Sequence, residues 1–316
     1  MIPREYQLVT VFGGAGFIGR YVCERLMEAD ARVRVACREP RLAHFIQPLG
    51  QIGQFGFVRT DLTNAKSVRK AVEGATAVVN LVGAFKHMRA VHATGAETVA
   101  KAAAEAGVKA LVQVSAIGAD PDSPSEYGRT KAAGEEAVRS AFPNATIIRP
   151  SVVFGSEDDF TNRLARFGGL PFLPLIKPDC KLQPVFVEDL AKAIAAAAVD
   201  PKAHGGKTYE IVGPNVLTMR EIAETTLRLA RQEAEPIDLP DFASSALSWL
   251  GFMPGAPLTR DQWLMLQRHN IAAEGSRGLE AFGITPTPLA AVAEEWLNRY
   301  WRGGRFAMRT PPENAA

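Results

Sequence analysis

Apolar residues fall into short β-branched runs separated by longer stretches at helical spacing. "QLVTVFG" (7–13), "ARVRVACR" (31–38), "GQFGFVRTDL" (53–62), "ATAVVNLVG" (75–83), "KALVQVSAIG" (109–118) and "ATIIRPSVVFG" (145–155) each predict a buried strand. Between them, "FIGRYVCERLMEAD" (17–30), "NAKSVRKAVEG" (64–74), "AVHATGAETVAKAAAEAGV" (90–108) and "EYGRTKAAGEEAVRSAF" (126–142) predict helices. The Asn at 64 and the Gly at 74 read as a start and a stop. Strict alternation of the two periods predicts an α/β chain with a Rossmann-like, doubly wound parallel sheet.

After Gly155 the rhythm breaks. A Pro-rich stretch leads into a short strand and an Ala-rich helix (168–200), and "GKTYEIVGP" (206–214) is one more strand. Beyond residue 215 the pattern is mainly helical and loop-rich. The expected organisation is a core over 1–155, completed by 181–214. Segments 156–180 and 215–300 form a smaller, mainly helical C-terminal lobe, and 301–316 a flexible basic tail.

Composition narrows the function classes. With 47% hydrophobic and 22% charged residues the chain reads as globular, and a net charge of +2 gives no electrostatic case for nucleic acid. No basic stretch with interleaved aromatics supplies one. The cysteines, Cys23, Cys37 and Cys180, are sparse and odd in number, which points to a reducing compartment. The five histidines show no metal-ligand spacing, so no metal site is expected. No apolar run reaches the ~18 residues a membrane span needs, and the start of the sequence has no targeting pattern. The expected location is the bacterial cytoplasm, with a matured mitochondrial protein as the other option.

The first strand runs into "GGAGFIG", with Gly13, Gly16 and Gly19 in a G-x-x-G-x-x-G pattern and Gly14 beside them. Gly13 permits the tight turn, Gly16 leaves room for a pyrophosphate, and Gly19 allows close helix packing. The N–H groups at Phe17, Ile18 and Gly19 then face the phosphates. The strand–loop–helix context makes this a dinucleotide site. An acid about 20 positions after the glycines favours NAD, whereas an arginine there favours the 2′-phosphate of NADP. Arg38 occupies that position, Arg20 can join it, and Glu39 is the neighbour that would restore an NAD-type contact. NADPH is the favoured cofactor.

Tyr127 and Lys131 lie at i and i+4 on one helix, with Ser115 at the end of the preceding strand. A nearby ammonium is expected to lower the tyrosine pKa, so that Tyr127 passes a proton at a substrate oxygen that Ser115 orients. Lys131 can also hold the nicotinamide ribose.

Behind a glycine loop, this Ser-Tyr-Lys set resembles the short-chain dehydrogenase/reductase superfamily, in its extended or atypical branch. The resemblance implies further contacts: Asp61 and Leu62 at adenine; Asn80, Leu81, Val82 and Gly83 at ribose and pyrophosphate; Pro150, Val152 and Val153 at nicotinamide. The blocks "AFPNATIIRPSVVFGSEDDFTNRLA" (141–165), "LQPVFVEDLAKAI" (182–194), "YEIVGPNVLTMREI" (209–222) and "PLTRDQWLMLQRHNI" (257–271) are more specific. They resemble the family of NADPH-binding accessory subunits of respiratory complex I, NADH:ubiquinone oxidoreductase, and its bacterial counterparts. That resemblance implies a nucleotide held without established turnover. It also implies complex I partners near the junction of the peripheral and membrane arms, and a place on the inner membrane surface, or on the matrix side in a eukaryote. The segment 81–96 is shorter than in many superfamily relatives.

The apolar stretch 239–266 is either lobe core or a patch for a partner or the membrane surface, with Trp249, Phe252 and Met253 as candidates. The tail carries Arg299, Arg302, Arg305 and Arg309 among aromatics, suited to anionic headgroups or an acidic subunit. The alternative function is a soluble NADP-dependent reductase, epimerase or dehydratase using Ser115, Tyr127 and Lys131.

Overall fold

In the computed structural model, residues 7–249 and 258–301 are described, the Leu42 side chain apart. One parallel sheet organises them. Its strands are β1 (Leu8–Phe12), β2 (Arg32–Cys37), β3 (Phe55–Arg59), β4 (Ala77–Asn80), β5 (Ala110–Val114), β6 (Thr146–Pro150) and β7 (Thr208–Ile211). Their order is β7-β6-β5-β4-β1-β2-β3, so the order reverses between β4 and β1. Loops at the carboxyl ends diverge there, which makes it the natural ligand crevice.

Among the described residues, the α-helices longer than four residues are α1 (Phe17–Glu28), α2 (Ala65–Val72), α3 (Ala96–Glu105), α4 (Glu126–Ala141), α5 (Phe160–Phe167), α6 (Val187–Val199), α7 (Met219–Leu229), α8 (Asp241–Trp249) and α9 (Arg260–Met265). The two-residue period of a strand sends alternate side chains to opposite faces. Val9 and Val11 join α1 and α6 in one apolar cluster, while Phe12, Val78, Leu111 and Ile147 join α2, α3 and α4 in another. Strands β4 and β5 are buried along their whole length, as central parallel strands must be.

Local chemistry sets the helix ends. The Asn64 side chain accepts from the amides of Lys66 and Ser67, and Gly74 leaves the chain in the left-handed region at φ 71°. Ser125 caps α4 by accepting from the Gly128 amide. The helix expected over 90–108 opens instead with a π turn, Ala90–Gly95, before α3 begins. Such turns recur at functional sites, and this one carries His92. A 3-10 segment, Pro40–Leu49, that hydropathy did not predict buries Ala43 and Ile46 against the face shared by α1 and α6.

Outside the main sheet the chain makes three short strand pairings: Val153–Phe154 with Val185–Phe186, Lys181–Leu182 with Leu217–Thr218, and Phe172–Leu175 with Glu235–Asp238. The apolar core beneath the C-terminal lobe takes in Phe154 and Leu182 together with Met219, Ile222, Trp296 and Leu297.

The block "GSEDDFTNR" is a joint between lobe and sheet. Asp158, 3% exposed, accepts from the amides of Gly155 and Thr161 and from the Thr161 hydroxyl. Burial pushes its carboxyl up while those donors pull it back. Glu157 reaches α1, pairing with Arg20 at 3.2 Å and accepting from the Tyr21 hydroxyl at 2.7 Å. Asn162 accepts from the Tyr300 hydroxyl.

Phe242 and Trp249 on α8 are 79% and 67% exposed, so this part of the apolar stretch is surface rather than core. Phe252 and Met253 lie outside the described residues, as do Arg302, Arg305 and Arg309. Arg299 donates to the Trp296 carbonyl and the Ser156 hydroxyl, which ties it to the lobe. Among the described residues no helix is long and apolar enough to cross a membrane.

Candidate functional site

The glycine loop leaves β1 and enters α1 at the sheet's crevice. Gly13 has φ 79°, where a side chain would be strained. A Cβ on Gly19 would lie 2.3 Å from the Gly13 carbonyl oxygen, so Gly19 is required by the loop itself rather than by helix–sheet packing. Gly14 packs a backbone face on Cys23 and Val35. Helix α1 has no side-chain cap and no acidic residue in its first turn. Its first N–H groups, from Phe17 onward, are therefore available to an anion, which is what a pyrophosphate needs.

Where the adenosine was expected, Arg38 is exposed just past β2. It stands close enough to Asp61 to lower that carboxyl, after the larger effect of the Thr63 amide and hydroxyl. Arg20 lies over the Phe45 ring, 4.4 Å from its centroid, with Glu157 on its guanidinium. Its Nε is buried without a hydrogen-bond partner among the described residues. Leu62 packs into the apolar face beside Ala96. Leu81 and Val82 are half-buried at the end of β4, and Val82 lies against Gly13. The Asn80 side chain is committed to Gln113 and to the Val82 amide.

The Ser-Tyr-Lys set stands at the carboxyl end of β5. Lys131, 6% exposed, donates from Nζ to the Val114 carbonyl at 3.3 Å. The same ammonium lies 3.7 Å from where a Cβ on Gly83 would be, which ties the ends of β4 and β5 to α4. Ser115 is 4% exposed and its hydroxyl has no partner among the described residues. A buried hydroxyl left open at a strand end suits a ligand oxygen.

Tyr127 is packed on several sides. Phe85 stacks on it at 5.3 Å between centroids, and His92 meets it edge-on at 5.2 Å. The expected depression of its pKa does not occur. Burial pushes the phenol up to about 12, with the Asp261 carboxylate adding to the rise. The Lys131 ammonium lies over the ring, 5.6 Å from its centroid, and gives its hydrogen bond to Val114. Burial pulls Lys131 itself down to about 8, against the raising influence of Glu135. The lysine is thus a donor to the end of β5 rather than a hydrogen-bond partner of the phenolic oxygen.

Sequence reading missed the residues that brace this set. His92, 2% exposed, accepts the Ala84 amide at Nε2 and meets Thr130 Oγ1 from Nδ1, each at 3.0 Å. An imidazole with an acceptor Nε2 carries its proton on Nδ1 and donates to Thr130. Burial, helped by Lys131, pulls its pKa down to about 3, so it stays neutral. Helix α4 approaches so closely that a Cβ on Gly134 would lie 2.0 Å from the His92 carbonyl oxygen.

The segment 259–273 straps the lobe across the same edge. Asp261 accepts the amides of Glu126 and Tyr127, and Arg268 pairs with Asp120 at 2.7 Å. Asn270 accepts from the Ser151 hydroxyl and the Val152 amide and donates to the Ile117 carbonyl. It therefore braces the turn between Pro150 and Val153, where the nicotinamide was expected. Thr259 and Gln262 form a capping box, a local signal that marks a helix start. No local signal marks the contact of Asp261 with α4, more than a hundred residues away in sequence.

Comparison with known proteins agrees with this geometry. A family model described as NAD(P)H-binding matches residues 13–172. The alpha subcomplex subunit 9 of mitochondrial NADH dehydrogenase (ubiquinone) 1 from Mus musculus is 35% identical, over 93% of this chain and 80% of its own. The 40 kDa subunit of mitochondrial NADH-ubiquinone oxidoreductase from Neurospora crassa is 33% identical, over 92% and 79%. Among solved structures, an NADPH-dependent quinone oxidoreductase from Escherichia coli, complexed with NADPH, superposes with a TM-score of 0.76. That likeness covers 92% of this chain and 100% of the other at 19% identity, and so speaks to the fold alone.

Proposed function

We propose a function from the premise that the chain belongs to the NAD(P)H-binding family and, within it, to the family of the alpha subcomplex subunit 9 of NADH dehydrogenase (ubiquinone) 1. The chain is an NADPH-binding accessory subunit of a respiratory complex I, and the nucleotide serves there as a structural part. One observation carries this reading: the likeness to complex I subunits runs through the C-terminal lobe as well as the nucleotide core. That lobe grips the crevice at both ends, through Glu157 on α1 and Asp261 on α4. A ligand that binds only the folded state stabilises it by RT ln(1 + [L]/Kd), several kcal/mol at high saturation.

In this reading the first turn of α1 takes the pyrophosphate, Arg38 with Arg20 takes a 2′-phosphate, and Lys131 takes the nicotinamide ribose. The arginines are the reason to prefer NADPH to NADH. The subunit sits peripherally on the membrane, near where the two arms of the complex meet. Gentle purification from detergent-solubilised membranes tests the proposal. Released NADPH and co-purifying complex I subunits are expected. A deletion strain with intact complex I would overturn it.

A second reading, a reductase, epimerase or dehydratase, is favoured by the partnerless Ser115 hydroxyl beside Tyr127 and Lys131. It predicts a redox change of bound nucleotide with a carbonyl or sugar substrate, lost in Tyr127→Phe.

A further inference from the structure

Helix α4 carries both Tyr127 and Lys131, and its first turn is held from outside the sheet. The Glu126 amide donates to Asp261 Oδ1 at 2.5 Å and the Tyr127 amide to Oδ2 at 3.2 Å. Ser125 separately takes the Gly128 amide. Two of the helix's otherwise orphaned N–H groups are thus satisfied by a carboxylate on α9, at the end of the dipole where negative charge is favoured. Asp261 is itself fixed, since it lies inside the capping box of Thr259 and Gln262 and two residues before Trp263, whose indole donates to Ser244 on α8.

The charged and titratable groups around the Tyr127 ring are few. Lys131 lies over one face, neutral His92 meets the edge, and Asp261 sits behind the backbone; Phe85 is stacked on the ring. Asp261 is the anion of the set, and an anion there opposes formation of a phenolate. A helix terminus left to itself would do the reverse, because its free N–H groups favour negative charge. The lobe has placed a carboxylate where that influence would otherwise reach the tyrosine.

We propose that Asp261 is a positioning residue of the nucleotide site: from the C-terminal lobe it fixes the first turn of α4 and adds to burial in keeping Tyr127 there a neutral phenol. A tyrosine kept in this form donates a hydrogen bond to a bound ligand and does not act as a base toward it. The site is thereby biased against any step that needs Tyr127 as a phenolate. This role rests on the nucleotide-binding reading for its meaning, and its test needs no nucleotide.

The test compares Tyr127 ionisation in the full-length wild type, Asp261→Asn and Asp261→Glu. The tyrosinate signal is assigned by difference with Tyr127→Phe, over the alkaline range in which circular dichroism reports the native fold. Asn keeps one acceptor and loses the charge, so Tyr127 should ionise at lower pH; Glu should return it toward the wild-type value. An unchanged titration in Asp261→Asn would overturn the proposal.

Should that variant not fold, amide exchange in the wild type decides. The Glu126 and Tyr127 amides should exchange on the order of tenfold or more slowly than open chain. Open-chain rates would overturn the assignment. Wild-type protein that retains no NADPH would instead sink the nucleotide reading and leave the Asp261 result standing.

Discussion

The Lys131 ammonium donates to the Val114 carbonyl across 3.3 Å, so the lysine of α4 is anchored to the end of β5 one residue before the open Ser115 hydroxyl. Removing the charge while keeping the stem, in Lys131→Met, should weaken NADPH binding by about ten- to a hundredfold, the worth of a hydrogen bond from a charged donor. Fluorescence titration of NADPH measures it. Because burial brings Lys131 down to about 8, wild-type affinity should also fall as pH rises through that value. Lys131→Arg, which stays charged, should lack that pH dependence.

Acid should unfold the protein through His92. Its folded pKa is pulled from 6.5 to about 3, so between those values the unfolded chain binds a proton that the folded one refuses. The contribution is fully present above pH 6.5 and is lost as pH falls toward 3, on the order of a few kcal/mol in total. Urea unfolding across this range should show a shallower loss in His92→Gln than in the wild type.

Tyr127→Phe separates holding from chemistry. If the nucleotide is a structural part, the variant should retain NADPH within about threefold of wild type, since at most one neutral hydrogen bond is lost. The phenol also contributes to alkaline behaviour. With its pKa raised from 10.0 to about 12, the folded state keeps a proton that the unfolded chain releases. Stability should therefore decline as pH climbs from 10.0 toward 12, and this decline should be smaller in Tyr127→Phe.

Two neighbouring aspartates should behave in opposite ways. Asp158→Ala leaves the buried Gly155 and Thr161 donors unpaired and should cost about 3 kcal/mol or more. Asp159, 73% exposed at its side chain, pairs with Arg163 at the surface, and Asp159→Ala should cost less than about 1 kcal/mol. Equilibrium denaturation of the two variants measures the contrast.

Arg38→Ala should erode the preference for NADPH over NADH by about tenfold, the scale of one lost guanidinium–phosphate contact. It should leave NADH affinity nearly unchanged. Paired titrations with the two nucleotides measure the ratio.

The sheet was legible because its signals are local. Each buried strand is a short apolar run, and each crossover helix has its own period and end signals, as Asn64 and Gly74 illustrate. The glycine loop was legible because strain at Gly13 and crowding at Gly19 admit no other residue. What the sequence hid depends on tertiary contact. His92 looked like a lone histidine on an Ala-rich helix until the π turn and Gly134 brought it against Thr130. In sequence Asp261 is one first-turn acid among several, and nothing local marks its contact with α4. The fate of Tyr127 was misread for the same reason: spacing at i and i+4 places Lys131 on its face of the helix but does not say where the ammonium goes.

Strand β7 hydrogen-bonds to β6 at the margin of the sheet, with Thr208 opposite Ile147 and Ile211 opposite Pro150. The chain supplies that strand only after α5 and α6. During synthesis, then, β6 emerges with an unsatisfied hydrogen-bonding edge, and it stays uncovered until residue 211 has cleared the ribosome. At about 5–20 residues per second this lasts several seconds. In that interval a parallel edge is open to the wrong partner, and a chaperone or a premature stop acting there would decide the yield of the subunit.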